Sequence, residues 1–201
     1  MTPRHRSQLL LGLFAGAAFL LGIWADSYWL RMLSKPVPVL MMILALGKTR
    51  APYSRLLRRG LVACLIGDIL LEVSPSTFTA GLIAFLIGHV FYVLAYVTRT
   101  RRVAAGWALA FAAYGAGMLW VLHPGLGSME LPVSIYTAAI CLMLWRAAAF
   151  LGAVAFALSD SLIALNRFHE PLAGVRYPII VLYWLGQLGI TASREPTETK
   201  P

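Results

Sequence analysis

Apolar residues along this chain run in long blocks instead of alternating with polar ones, and short basic or turn-forming stretches divide the blocks. A helix crossing the hydrocarbon core of a bilayer needs about 20 mostly apolar residues. The blocks predict eight transmembrane helices, over Ser7–Trp24, Lys35–Leu46, Gly60–Val73, Phe78–Thr98, Val103–Leu122, Leu131–Trp145, Arg146–Leu165 and Val175–Thr191. The second and third are short, and a polar-flanked extension such as Trp29–Gly47 brings the second near spanning length. No stretch suited to a soluble domain remains. The expected fold class is therefore all-α and polytopic, a single transmembrane domain over residues 1–201 with cytoplasmic tails at 1–6 and 192–201.

The first block follows Arg4, His5 and Arg6 and has the outline of a signal peptide. The segment Gly22 to Ser27 is a poor match to a small-x-small cleavage site, so the block is expected to be a retained signal anchor.

Composition agrees with the pattern. At 60% hydrophobic and 12% charged residues, the chain has more apolar content than a soluble domain of 201 residues needs for its core. Its basic residues set an orientation, because short loops rich in Lys and Arg stay in the cytoplasm. With the N-terminus inside, Arg4, Arg6, Lys48, Arg50, Arg55, Arg58, Arg59, Arg99, Arg101, Arg102, Arg146, Arg194 and Lys200 are cytoplasmic. Only Arg31, Lys35, Arg167 and Arg176 of the 17 basic residues fall on the other side. This alternation supports an even number of spans with both termini cytoplasmic, and the Ala-, Leu- and Arg-rich composition suits a bacterial inner membrane. The net charge of +9 is explained by loops that meet anionic lipid, so no nucleic-acid partner is expected. Cys64 and Cys141 lie in apolar blocks as small hydrophobes.

Two carboxylates interrupt the blocks. Asp68 and Asp160 lie in the third and seventh predicted helices, where a charged side chain costs about 2.5 to 3.5 kcal/mol even on lenient insertion scales. Such residues face a protein interior or a water-filled cavity. Aligning Asp68 with Asp160 also matches Gly60 with Gly152, Val62 with Val154, Ala63 with Ala155 and Leu70 with Leu162, which suggests an internal repeat relating these two helices.

With the N-terminus inside, both acids fall in the outer half of the bilayer. Glu72 lies one turn beyond Asp68 on the same helical face, and Lys35, Asn166 and Arg167 reach a similar level. Lys35 sits in Ser34-Lys-Pro-Val-Pro38, which reads as a helix start with Ser34 as N-cap. It either snorkels to the interface or pairs with a carboxylate or phosphate. In the fourth block Phe85, His89, Tyr92 and Tyr96 share one face, and His89 is open to two readings, as a packing residue or a proton carrier. In the last block Tyr183 and Gln187 form an i, i+4 pair. The tryptophans read as interfacial anchors. A metal site is not expected, since only His89 of the four histidines lies inside a predicted span. Ser159 and Ser161 flank Asp160, but no nucleophile elbow surrounds them.

The order Ser34-Lys35-Pro36, Gly67-Asp68-Ile69-Leu70-Leu71, Phe78 with Gly81, Phe85, His89 and Tyr92, then Gly152 through Ser161, resembles the lysoplasmalogenase family, also called YhhN-like, over roughly Ser34 to Gly189. That resemblance implies a small eight-helix membrane enzyme. Its substrate would be a lysophospholipid, a lysoplasmalogen whose vinyl ether is hydrolysed to a fatty aldehyde and glycerophosphoethanolamine or glycerophosphocholine. The implied chemistry starts with protonation of the enol-ether carbon, so one acid of the pair Asp68 and Asp160 should be protonated and the other ionised. His89, Glu72 and Tyr92 would tune or relay protons, and Lys35 would meet the substrate phosphate. Ser159, Ser161, Asn166, Tyr183 and Gln187 complete the supporting set. No cofactor is expected, and the sequence does not specify an oligomeric state. Two other readings use the same acids: a small proton-coupled transporter or lipid-binding protein without turnover, and helix-gluing ion pairs with Lys35 or Arg167.

Overall fold

The structure, a computed structural model, describes residues 3–47, 49–99, 105–147 and 149–194. Residues 1, 2 and 195–201 of the expected tails lie outside the described residues, as do Lys48, Arg101, Arg102 and Lys200 among the cations that set the orientation. The described residues form helices and no strand: α1 (Pro3–Trp24), α2 (Tyr28–Ser34), α3 (Val37–Leu46), α4 (Pro52–Val73), α5 (Phe78–Arg99), α6 (Ala105–Leu126), α7 (Glu130–Arg146), α8 (Phe150–Phe168) and α9 (Arg176–Ala192). Short 3-10 turns at Pro75–Thr77 and Gly127–Met129 join α4 to α5 and α6 to α7.

Helix boundaries follow local chemistry. Ser27 caps α2, its hydroxyl accepting from the Leu30 amide at 3.4 Å, and Pro52 at the first turn opens α4. Ser34 does not cap a helix. It closes α2, and its hydroxyl turns back to donate to the Leu30 carbonyl at 2.5 Å. The ring nitrogens of Pro36 and Pro38 cannot continue the ladder, so the expected second span is broken into α2 and α3 at Lys35. Gly47, at φ 65°, ends α3 in a conformation that favours glycine. Arg146 closes α7 instead of opening the next helix, and α8 starts at Phe150. The Arg55, Arg58 and Arg59 side chains leave the first turns of α4, which starts eight residues before Gly60.

The chain forms two compact units. The first contains α1 to α4 and α5 as far as Ala95, rejoined by the chain from Thr191; the second runs from Tyr96 to Ile190.

In the first unit α4 and α5 interlock antiparallel through glycines. A Cβ on Gly60 would lie 2.3 Å from the Tyr92 ring, on Gly67 2.6 Å from the Phe85 ring, on Gly81 2.7 Å from Leu71, and on Gly88 2.6 Å from Cys64 Sγ. The α4 positions Gly60, Cys64, Gly67 and Leu71 advance by four, three and four residues, while their α5 partners Tyr92, Gly88, Phe85 and Gly81 step back by the same intervals. Each hollow on one helix thus receives a side chain of the other, the close approach that small residues permit where lipid supplies no hydrophobic drive.

In the second unit α8 and α9 cross more tightly still. A Cβ on Gly152 would meet backbone, 2.7 Å from the Ile190 nitrogen and 2.9 Å from the Gly186 carbonyl oxygen. Above this crossing the Phe156 and Tyr183 rings meet edge to face at 5.3 Å, and the Ser159 hydroxyl donates to the Ile179 carbonyl at 2.9 Å. At the α6–α7 turn Leu122, Leu126 and Val133 form a buried cluster with Met118, Leu119, Ala164, Leu165 and Phe168 around it.

Large apolar side chains face outward, among them Leu10, Phe14, Leu109, Trp120 and Leu151. Five stretches, His5–Trp24, Tyr28–Leu46, Pro75–Arg99, Ala105–Arg146 and Phe150–Phe168, are long and apolar enough to cross a membrane. The break at Lys35 does not remove the second of these.

Candidate functional site

In the first unit, α4 carries both acids of the third predicted span. Asp68 is buried beside Gly67, the residue against which the Phe85 ring seats. One turn further, Glu72 holds two cations from α2 and its end: Oε1 accepts from Arg31 Nε at 2.9 Å and Oε2 from Lys35 Nζ at 3.2 Å. Of the readings open for Lys35, pairing with a carboxylate is the one observed. Arg31 also reaches the exposed Asp26 at 3.0 Å, and Lys35 lies 6.0 Å from the centre of the Phe19 ring. On α5 His89 and Tyr92 are both fully buried. Tyr92 occupies the hollow over Gly60, and His89 follows Gly88 in the same seam.

In the second unit, α8 distributes three successive polar residues among three neighbours. Ser159 turns to α9, as described. Asp160 is buried, and its Oδ2 accepts from the Tyr136 hydroxyl of α7 at 2.8 Å. Ser161 donates to the Ala157 carbonyl at 2.6 Å and meets the Tyr114 hydroxyl of α6. Asn166 is turned away from this group, its Oδ1 accepting from the Leu172 amide at 2.8 Å in the loop after α8. On α9 Gln187 is fully buried one turn from Tyr183.

The structure thus brings Lys35 to Glu72, and Ser159, Asp160 and Ser161 to separate neighbours. Three residues escaped the sequence reading. Arg31 had a signal, since it stands four residues before Lys35 on a helix and so shares its face. Tyr136 and Tyr114 had none, because a tyrosine in an apolar block looks the same whether its hydroxyl meets an acid or lipid. Among the described residues no three His, Cys, Asp or Glu side chains are grouped to hold a metal ion. A buried carboxyl with a hydroxyl donor is suited to proton transfer or to stabilising a cation in a site of low dielectric.

Comparison with known proteins adds the family. Residues 30–194 match the YhhN family. Lysoplasmalogenase TMEM86B of Sus scrofa is 33% identical over 185 residues, covering 87% of this chain and 80% of the relative. Lysoplasmalogenase TMEM86A of Homo sapiens is 33% identical over 161 residues, covering 69% and 66%. The lysoplasmalogenase of Mycobacterium tuberculosis is 32% identical over 175 residues, covering 75% and 66%. No solved structure matches the chain. With its several apolar helices and this similarity over most of its length, the chain is a multi-pass membrane protein that belongs to the YhhN family.

Proposed function

We propose that the protein is a lysoplasmalogenase, hydrolysing the vinyl ether of a lysoplasmalogen to a fatty aldehyde and glycerophosphoethanolamine or glycerophosphocholine. The observation that carries this reading is the 33% identity over 185 residues with a lysoplasmalogenase. The two buried acids supply fitting chemistry.

A neutral carboxyl protonates the vinyl carbon remote from the ether oxygen, leaving an oxocarbenium ion. Water adds to that cation and loses a proton to the second carboxyl. The resulting hemiacetal collapses to the aldehyde, its hydroxyl returning a proton to the first carboxylate while the second, now protonated, carboxyl gives its proton to the departing glycerol oxygen, so one water is consumed and both acids return to their starting states. Asp68 and Asp160 share these two roles, one as the acid and the other as the carboxylate whose negative charge stabilises the cation, and Asp160 Oδ2 accepts from the Tyr136 hydroxyl. His89 and Tyr92 support the α4 side, while Ser159, Ser161, Asn166, Tyr183 and Gln187 hold the helix that carries Asp160.

The reading includes eight spans in a single transmembrane domain, with α2 and α3 together forming the second, α4 and α9 spanning as well, and α6 and α7 crossing separately. Both termini lie in the cytoplasm, the protein resides in the cell membrane, and both acids stand in the outer half of the bilayer.

The test is aldehyde release from lysoplasmenylcholine or lysoplasmenylethanolamine by detergent-purified protein. Asp68→Asn and Asp160→Asn should each lower turnover by about 100-fold or more, the scale of lost general acid or base catalysis. Full turnover by either folded variant removes that residue from the mechanism. A folded wild type that releases no aldehyde but takes up solute with protons would be a transporter.

A further inference from the structure

We propose that Arg31 and Lys35, clamped by Glu72, form the seat for the phosphodiester of the lysophospholipid headgroup, one helical turn outside Asp68. The inference rests on the hydrolase reading for its substrate class, and extends it to the residues that set headgroup and depth.

Charge is the first argument. The guanidinium and the ammonium share a single carboxylate, and all three side chains are nearly buried, at 11%, 12% and 6% exposure. Asp26, the other acid within reach, is 92% exposed, where water and salt screen most of its charge. The enclosed side chains are therefore two cations and one carboxylate, and the second carboxylate on Arg31, that of Asp26, lies out in water. A pair serving only to fasten α2 to α4 needs one cation.

Donor geometry is the second. Arg31 spends Nε on Glu72 and one terminal nitrogen on Asp26, and Lys35 spends one N–H on Glu72. A guanidinium has five N–H donors and an ammonium three, so each retains others. Glu72 fixes both side chains side by side, which is the arrangement that phosphate oxygens accept from.

Level is the third. Trp24 ends α1 and Trp29 stands in the first turn of α2, and both are largely exposed. Exposed tryptophans in lipid settle at the headgroup region, and Arg31 is two residues from Trp29. The cations thus lie close to the depth of lipid phosphates.

Length is the fourth. Asp68 and Glu72 are four residues apart on α4, a rise of about 6 Å. In the substrate the three glycerol carbons separate the phosphorus from the vinyl ether oxygen by about 6 Å when extended, at ordinary bond lengths. A phosphate held by Arg31 and Lys35 places the vinyl ether at the level of Asp68. Glu72 then acts as a positioning residue for the two cations.

The experiment uses two readouts on purified full-length protein. Binding of glycerophosphocholine is followed by calorimetry for wild type, Arg31→Gln and Lys35→Gln, with inorganic phosphate as a second probe. Turnover is compared between lysoplasmenylcholine and the phosphate-free 1-O-alkenylglycerol. We expect glycerophosphocholine to bind more tightly than inorganic phosphate, each variant to weaken it at least tenfold, and the kcat/KM ratio of phosphorylated over phosphate-free substrate to fall at least tenfold, through KM. Unchanged binding in folded variants overturns the seat. So does an equal loss on both substrates, which marks a packing defect, or inorganic phosphate binding as tightly as the headgroup, which marks a free-anion site. Should the glutamine variants fail to fold, Arg31→Lys retains the charge and loses the fork, and should still weaken glycerophosphocholine severalfold; no change there overturns the proposal. Because the binding arm needs no turnover, a wild type that binds the headgroup without releasing aldehyde defeats the hydrolase reading and leaves the seat standing.

Discussion

The Tyr136 hydroxyl gives the Asp160 carboxyl a partner on a neighbouring helix. Tyr136→Phe removes the donor to Oδ2 with almost no change in volume. Hydrogen bonds to charged groups contribute about 1.5 to 3 kcal/mol, so aldehyde turnover should fall by about 10- to 100-fold while the fold persists. Turnover at the wild-type rate would show that the hydroxyl does not hold Asp160 for the reaction. Glu72→Gln tests a different contact. It leaves the enclosed Lys35 without a carboxylate and Arg31 with only the exposed Asp26, and should cost about 3 kcal/mol, whereas Asp26→Asn on the exposed arm of the same cluster should cost less than about 1 kcal/mol. Thermal melts of the two variants side by side decide this, and equal melting points would show that Glu72 is not the clamp. Asp68, Glu72 and Asp160 could be picked out in the sequence because a carboxylate is costly in an apolar block. Tyr136 could not, since only its neighbour on another helix gives its hydroxyl a role.

Between helices the controlling feature is how closely backbones approach. Gly152 faces backbone of α9 that cannot rotate aside, so Gly152→Ala should lower stability by at least the 1 to 3 kcal/mol typical of overpacking. Gly88 faces the Cys64 sulfur, a small side chain that can turn, and Gly88→Ala should cost less. Gly117 lies inside α6, where an added methyl group would meet nothing within 4 Å. It should accept alanine with a neutral or stabilising effect, because glycine weakens a helix interior by about 1 kcal/mol. Melting temperatures in that order support the reading, and a Gly117→Ala loss as large as that of Gly152→Ala contradicts it. The face shared by Phe85, His89 and Tyr92 was legible from periodicity. Its partner was not: that Tyr92 and Phe85 fill hollows over Gly60 and Gly67 depends on the register of α4 against α5. The start at Lys35 was misread for a related reason, because Ser34 two residues before a proline looks like a cap until its hydroxyl is seen bonded to Leu30.

For the whole molecule the proposed eight-span topology puts 13 of the 17 basic residues on the cytoplasmic side. Alkaline phosphatase fused after Arg194 should therefore be inactive in cells, and a fluorescent protein at the same place should fold and fluoresce. The opposite result would move the C-terminus outside and put the acids in the other half of the bilayer.

The order of apolar blocks, the basic loops between them and the two acids within them are properties of the linear chain, because partition into lipid acts on each segment by its own composition. These determined a helical, multi-pass membrane protein with Asp68 and Asp160 as its chemically costly residues. Which side chains those acids and cations meet was decided only by tertiary packing. Glycine hollows set the register of α4 on α5 and of α8 on α9, while the packing of α2 on α4 brings Arg31 and Lys35 to Glu72 and that of α7 on α8 brings Tyr136 to Asp160.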